Sequence, residues 1–137
     1  MRDVCRYHHG IDKNKILRAV NLVVPKHKII REFGLVFVSP QKMAELNLKY
    51  RRQNKPTNIL SFAGLSRELG SGDVVVCPKV AVAEAKKYGF TQKNWMTRLI
   101  VHAILHLAGY NHKTFEGETV MKHLEDKVCG KLFEIYL

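Results

Sequence analysis

Residues 91–112 read TQKNWMTRLIVHAILHLAGYNH, and this stretch predicts a long helix that ends in a group of histidines. Thr91 is a residue type that caps helix N-termini, and Gly109 is a residue type at which helices commonly end. The sequence therefore predicts a helix that runs from Thr91 towards Ala108 and stops before the glycine.

Three histidines mark the end of this helix. His102 and His106 are four residues apart, so their rings project from one face of the helix. Gly109 lets the chain reverse, which brings His112 back beside them. A lone histidine on a helix is usually a surface or core residue, but three at this spacing around a glycine favour a metal site. Three ligands leave a fourth position open, as in catalytic zinc sites.

The same spacing raises an alternative, because HxxxHxxGxxH is also the motif of the metzincin proteases. In those enzymes the motif begins HExxH, and the glutamate is the general base. Ala103 stands at that position here, and a methyl group cannot accept a proton. A protease is therefore the weaker interpretation.

Helical and strand patterns alternate along the rest of the chain. Ser39-Pro40 is a strong helix start, and Asp12 is another capping residue. Strands are predicted at residues 2–9, 32–39, 59–62 and 73–77, and further helices at 12–24, 41–51, 79–89 and around 120–132. This order predicts a single α/β (α+β) domain over residues 1–137. Its one mixed four-stranded sheet would be flanked by about five helices, with the metal cleft at the end of the histidine helix.

Charge and composition narrow the classes of function. The 137 residues carry a formal charge of +11, which favours a polyanionic partner such as nucleic acid, although a solvated lysine-rich surface has the same composition. No apolar run resembles a signal peptide or a membrane span, so we expect a cytoplasmic or organellar-matrix protein. The three cysteines form no CxxC pair, and their odd number argues against a disulfide framework. We therefore expect buried thiols and no disulfide-linked partner.

Three segments together resemble the YbeY family of metal-dependent endoribonucleases. They are LNLKYRRQNKPTNILSF (46–62), GDVVVC (72–77) and HAILHLAGYNH (102–112). The sequence departs from the family pattern at four positions. Asn58 and Asn111 stand where aspartate is common, Arg52 where a small residue often follows the arginine, and Ala103 where glycine is usual. None of these four positions is an expected metal ligand.

The resemblance implies a function and a set of site residues. It implies one zinc ion per chain held by His102, His106 and His112, and cleavage of single-stranded RNA in rRNA maturation and ribosome quality control. Arg51, from the Tyr-Arg pair of the family, would face the substrate phosphate. His102 and Arg51 would be the residues of the catalytic centre. The oligomeric state stays open.

Other residues are assigned from position and chemistry. Arg52 is the fallback for Arg51, since sequence cannot separate two adjacent arginines. Arg98 lies one turn before His102 on the same helical face, so it could extend the basic surface towards RNA, although an exposed helix residue without a role in the site fits the same position. Metal-bound histidines usually donate their second ring N–H to an acceptor, and Asp73 is our preferred candidate, with Glu116 and Glu118 as others.

Two further functions compete with the nuclease. One is an RNA- or ribosome-binding module whose metal is structural, and the other is a metallohydrolase that acts on peptides or small molecules. The sequence does not choose between a metal-activated water and the neighbouring 2′-hydroxyl as the attacking group. The metal also stays open, because sites of three histidines accept several first-row ions.

Overall fold

The computed structural model describes residues 10–63 and 72–136. Within these ranges the chain forms five α-helices, one short 3₁₀ helix at Lys26–Lys28 and three β-strands. In chain order they are α1 (Lys13–Val23), β1 (Gly34–Phe37), α2 (Pro40–Arg51), β2 (Ile59–Ala63), β3 (Gly72–Val76), α3 (Pro78–Tyr88), α4 (Gln92–Leu107) and α5 (Phe115–Tyr136).

The three strands form one mixed sheet in the order β1-β3-β2. β1 runs parallel to β3, with Leu35 opposite Val74, and β2 runs antiparallel to β3, with Leu60 opposite Val75. The predicted fold class, a mixed sheet flanked by helices, is confirmed. The described residues contain three strands rather than four, and the strand predicted over residues 2–9 lies outside them.

Helices cover both faces of the sheet. Successive side chains of β3 point to opposite faces, so both faces carry apolar side chains that are buried under helices. Val74 and Val76 are buried in the cluster that contains α4, and Val75 is buried with Met43 of α2. α4 is the central element and contacts α1, α3, α5, β2 and β3. Seven of its residues are buried: Met96, Thr97, Ile100, Val101, Ala103, Ile104 and Leu105.

The predicted helix starts are confirmed by their capping bonds. The Asp12 carboxylate accepts from two backbone N–H groups of α1, the Ser39 hydroxyl from Lys42 of α2, and the Thr91 hydroxyl from Asn94 of α4. Each bond satisfies a backbone donor that the helix itself leaves unpaired. α4, which carries the histidines, is thus anchored at its first turn.

Two of the three cysteines lie in the described ranges. Cys77 and Cys129 are free and buried, as expected, whereas Cys5 lies outside these residues. No helix in the same ranges combines the length and the apolar composition needed to cross a bilayer.

Candidate metal centre

The end of α4 brings the three histidines together. The helix stops at Leu107, and Gly109 adopts a left-handed φ of 104° that turns the chain back. The turn is closed by the Tyr110 N–H, which donates to the Leu105 carbonyl at 3.1 Å. One ring nitrogen from each of His102, His106 and His112 lies within 4.8 Å of the others. The structure therefore places the three predicted ligands at one point.

Neighbouring acceptors fix the outer nitrogens of two of these rings. The Nδ1 of His102 contacts the Glu125 carboxylate, and the Nδ1 of His106 lies 3.1 Å from the Tyr110 carbonyl oxygen. A carboxylate and a carbonyl only accept hydrogen bonds, so each Nδ1 carries the proton. Both Nε2 atoms then present lone pairs, as metal-binding imidazoles do.

The inner nitrogens fit a metal ion. The Nε2 atoms of His102 and His106 are 3.0 Å apart. Two lone pairs at this distance repel each other unless a cation lies between them. Two ligands on a tetrahedral zinc ion lie about 3.3 Å apart, because each Zn–N bond is about 2 Å. A ring nitrogen of His112 lies within 4.8 Å of the other two, so the three residues could hold such an ion.

His106 is held in its neutral form. Burial lowers its pKa below the ordinary value, and the neighbouring His102 and His112 lower it further. The carbonyl of Tyr110 and the carboxylate of Glu125 oppose this effect. A neutral imidazole is the form that binds a metal, so the lowered pKa suits His106 to the role of a ligand.

Glu125, not Asp73, is the acidic partner of a histidine ring. Asp73 is exposed on β3, and its carboxylate lies over the backbone of Gly34 on the neighbouring strand. Glu125 comes from α5, which packs against α4. Sequence reasoning missed it because the contact joins two helices through the fold, and no local pattern marks it.

The histidines lie in a cleft of about 600 Å³ between α4, α5 and β2. Arg51, Asn58, Trp95, Arg98 and Glu125 also line it. Arg51 and the three histidines thus line the same space. The guanidinium of Arg51 therefore places a permanent positive charge beside the candidate metal site.

The structure separates the two adjacent arginines. Arg51 is the last residue of α2 and lines the cleft, whereas Arg52 has a left-handed φ of 59° and is not among the lining residues. Buried Asn47 holds this corner in place, because its Nδ2 donates to the Lys55 carbonyl at 2.8 Å. The helix end and the following loop are therefore tied together, and only the first arginine faces the histidines.

Arg98 also lines the cleft, but its charge is partly offset. Its guanidinium Nη1 lies 3.1 Å from the Asp126 carboxylate, and its side chain is one-quarter exposed. The nearest described charge partner of Arg98 thus lies on α5. Arg51 has no such ion pair among the residues described, so it is the more available cation.

A carboxylate organises the other end of the cleft. Glu84 of α3 accepts hydrogen bonds from the Asn58 side chain and from the Trp95 indole, both at 3.0 Å. Because Glu84 only accepts, the Asn58 Nδ2 must point towards it. The side-chain Oδ1 of Asn58 then points away from Glu84 and can accept from other groups.

Comparison with known sequences gives consistent results. The sequence model of a family described as endoribonuclease YbeY matches residues 7–132. An endoribonuclease YbeY of Bartonella quintana is 38% identical over 110 residues, which cover 76% of this chain and 70% of the relative. One of Thermodesulfovibrio yellowstonii is 38% identical over 125 residues, which cover 88% and 77%.

Comparison with solved structures supports the fold. A protein of Thermotoga maritima with a known solution structure superposes with a TM-score of 0.59 and 26% identity. The match covers 89% of this chain and 81% of that one. The similarity therefore extends over most of both chains.

Proposed function

The chain belongs to the YbeY family of endoribonucleases, and on that basis we propose that it is a zinc-dependent endoribonuclease of single-stranded RNA. We place its role in rRNA maturation and ribosome quality control, in the cytoplasm or an organellar matrix. One observation carries the proposal: the Nε2 atoms of His102 and His106 converge in the cleft that Arg51 also lines. A metal site beside an arginine side chain suits the cleavage of a phosphodiester.

The chain's own residues prepare this site for a metal and a phosphate. His102, His106 and His112 would hold zinc as neutral ligands, so the ion would keep its full charge. Bound zinc supplies a Lewis acid that activates water or polarises a phosphoryl oxygen. Glu125 keeps the proton on the Nδ1 of His102 and so directs the Nε2 inward.

Arg51 would bind the scissile phosphate. Its planar guanidinium donates two parallel hydrogen bonds to phosphate oxygens, and its charge opposes the negative charge that builds up during cleavage. Arg98 would add to the field at the cleft wall, with less effect because Asp126 partly offsets its charge. Arg52 would contribute only through its general positive charge, since it lies outside the cleft lining.

The charge of the whole chain supports RNA as the substrate. A formal charge of +11 attracts a phosphate backbone and releases its counterions on binding. An RNA-binding module with a structural metal would share this charge. Among the residues described, the cluster consists of three histidines, which favours the enzyme, because structural zinc sites are usually closed by four protein ligands.

A panel of substrates tests the proposal. Zinc-loaded protein is incubated with labelled single-stranded RNA, the same sequence as a duplex, single-stranded DNA and an unfolded protein. We expect internal cleavage of single-stranded RNA, abolished by a chelator. Tight RNA binding without cleavage would support the binding module instead. Hydrolysis of the unfolded protein that His102→Ala abolishes would support the peptidase.

A further inference from the structure

An exposed aromatic patch lies where α3 meets α4. It consists of Tyr88, Phe90 and Trp95. The Trp95 ring centroid is 5.4 Å from that of Tyr88 and 5.0 Å from that of Phe90. The Trp95 indole N–H donates to Glu84, which fixes the orientation of the ring. The patch therefore has a rigid, partly buried support in Trp95.

The two outer rings are not needed to fill the core. Tyr88 is 54% exposed and Phe90 is 40% exposed, whereas Trp95 packs against the core cluster. The left-handed Gly89 between them ends α3, and both rings contact Trp95. A structural role in stabilising this turn would explain why Tyr88 and Phe90 contact Trp95. It does not explain why large parts of two aromatic rings remain in solvent.

Cations surround the patch. Lys79, Lys86 and Lys87 are exposed on α3, and the Lys87 Nζ lies 5.5 Å from the Tyr88 ring centroid. Lys79, Lys87 and Tyr88 line one shallow groove. Glu84 is the only carboxylate of α3, and it is already bound by Asn58 and Trp95. The patch therefore offers aromatic surface and positive charge together.

The patch continues into the histidine cleft. Trp95 and Asn58 line that cleft, and Glu84 links both of them to the groove beside Tyr88. A strand of nucleic acid that passes the histidines would next meet the aromatic rings. Trp95 thus belongs both to the cleft lining and to the aromatic patch.

We propose that the aromatic patch binds single-stranded RNA next to the cleaved linkage, with bases stacked on Tyr88 and Phe90 and phosphates paired with the lysines of α3. This inference rests on the proposed function, because it takes RNA as the substrate. Every base has a flat face, so stacking on aromatic side chains tolerates any sequence. A duplex hides these faces, so the patch would favour single strands.

The single tryptophan of the chain gives a direct measurement. The intrinsic fluorescence of Trp95 is followed while single-stranded RNA is titrated into the full-length His106→Ala protein, which is not expected to cleave it. Tyr88→Leu and Phe90→Leu keep apolar packing but remove the flat ring, and Tyr88→Phe keeps the ring. The melting temperature of each variant shows whether the turn at Gly89 stays folded.

We expect each leucine variant to bind single-stranded RNA about tenfold more weakly, and Tyr88→Phe to bind like its parent. An RNA of the same length with abasic sites should bind all the proteins equally weakly. Equal binding of intact RNA by parent and leucine variants would overturn the patch and leave the nuclease proposal intact. Absence of RNA binding in every protein, wild type included, would overturn both.

Discussion

The Nδ1 of His102 on α4 contacts the carboxylate of Glu125 on α5, 23 residues further along the chain. This contact fixes which ring nitrogen carries the proton and therefore which one faces the cleft. It also couples the packing of two helices to the geometry of the candidate metal site. Glu125 thus orients one of the three candidate metal ligands.

Replacement of Glu125 should weaken metal binding. Loss of such an outer partner typically costs 10- to 100-fold in metal affinity. We expect this loss for Glu125→Leu and a smaller one for Glu125→Gln, whose amide oxygen still accepts from the ring. Zinc affinity is measured by competition with a chromophoric chelator. Glu118→Gln, an exposed carboxylate on the same helix, is the control and should bind zinc like the wild type.

The two adjacent arginines should behave differently. Arg51→Ala should lower kcat on single-stranded RNA by about 100-fold or more, because it removes a donor from the site of developing charge. Arg52→Gly removes the same charge outside the cleft and suits the left-handed φ of that position, so its kcat should change little. Both variants should retain one zinc per chain. Equal losses in the two variants would remove the specific role of Arg51.

The buried thiol of Cys129 should be unreactive at neutral pH. Burial raises its pKa to about 11 from an ordinary value of 9.0. We expect iodoacetamide at pH 8 to leave Cys129 unmodified in the folded protein and to alkylate it in urea. In a Cys5→Ser variant, Cys77 and Cys129 are the two remaining thiols, and mass spectrometry measures the alkylation of each. Fast alkylation of Cys129 without urea would contradict the prediction.

The same shift affects stability at high pH. The folded state holds the proton of the Cys129 thiol more tightly than the unfolded state does. The protonated thiol therefore contributes stability that is complete below pH 9.0 and is lost as pH rises towards about 11. Cys129→Ala should therefore show a shallower fall in the free energy of unfolding over this range. Urea titrations at several pH values measure the difference.

Two glycines should respond in opposite ways to alanine. A Cβ on Gly72 would lie 2.7 Å from the Phe62 carbonyl oxygen and 2.7 Å from a methyl carbon of Leu107, whereas one on Gly130 meets nothing within 4 Å. Gly72→Ala should cost about 1–3 kcal/mol of unfolding free energy. Gly130→Ala, on the exposed side of α5, should add about 0.5–1 kcal/mol. Urea unfolding compares the two, and a Gly72→Ala protein as stable as the wild type would show that the strand pair adjusts freely.

Features that depend on neighbouring residues were predictable from the sequence. The capping side chains of Asp12, Ser39 and Thr91 act on backbone groups two or three residues away. His102 and His106 are one helical turn apart, so a helix alone aligns them. The turn at Gly109 needed only the known preference of glycine for a left-handed conformation.

Features that depend on tertiary packing were not predictable in this way. Glu125 reaches His102 only because α5 packs along α4, and Asp73, expected in its place, lies on a sheet position that faces Gly34. The difference between Arg51 and Arg52 arises where α2 ends, and helix ends are poorly defined by sequence. The link from Asn58 through Glu84 to Trp95 joins the loop before β2 to the helices α3 and α4.

The most direct test of a metal-centred nuclease is a zinc titration of RNA cleavage. Metal-free wild-type protein and His106→Ala protein, purified in parallel, are mixed with labelled single-stranded RNA at increasing zinc concentrations. We predict that cleavage by the wild type rises with zinc and levels off at one ion per chain, while the variant stays inactive. Cleavage at the same rate by both proteins, or by metal-free wild type, would contradict the account.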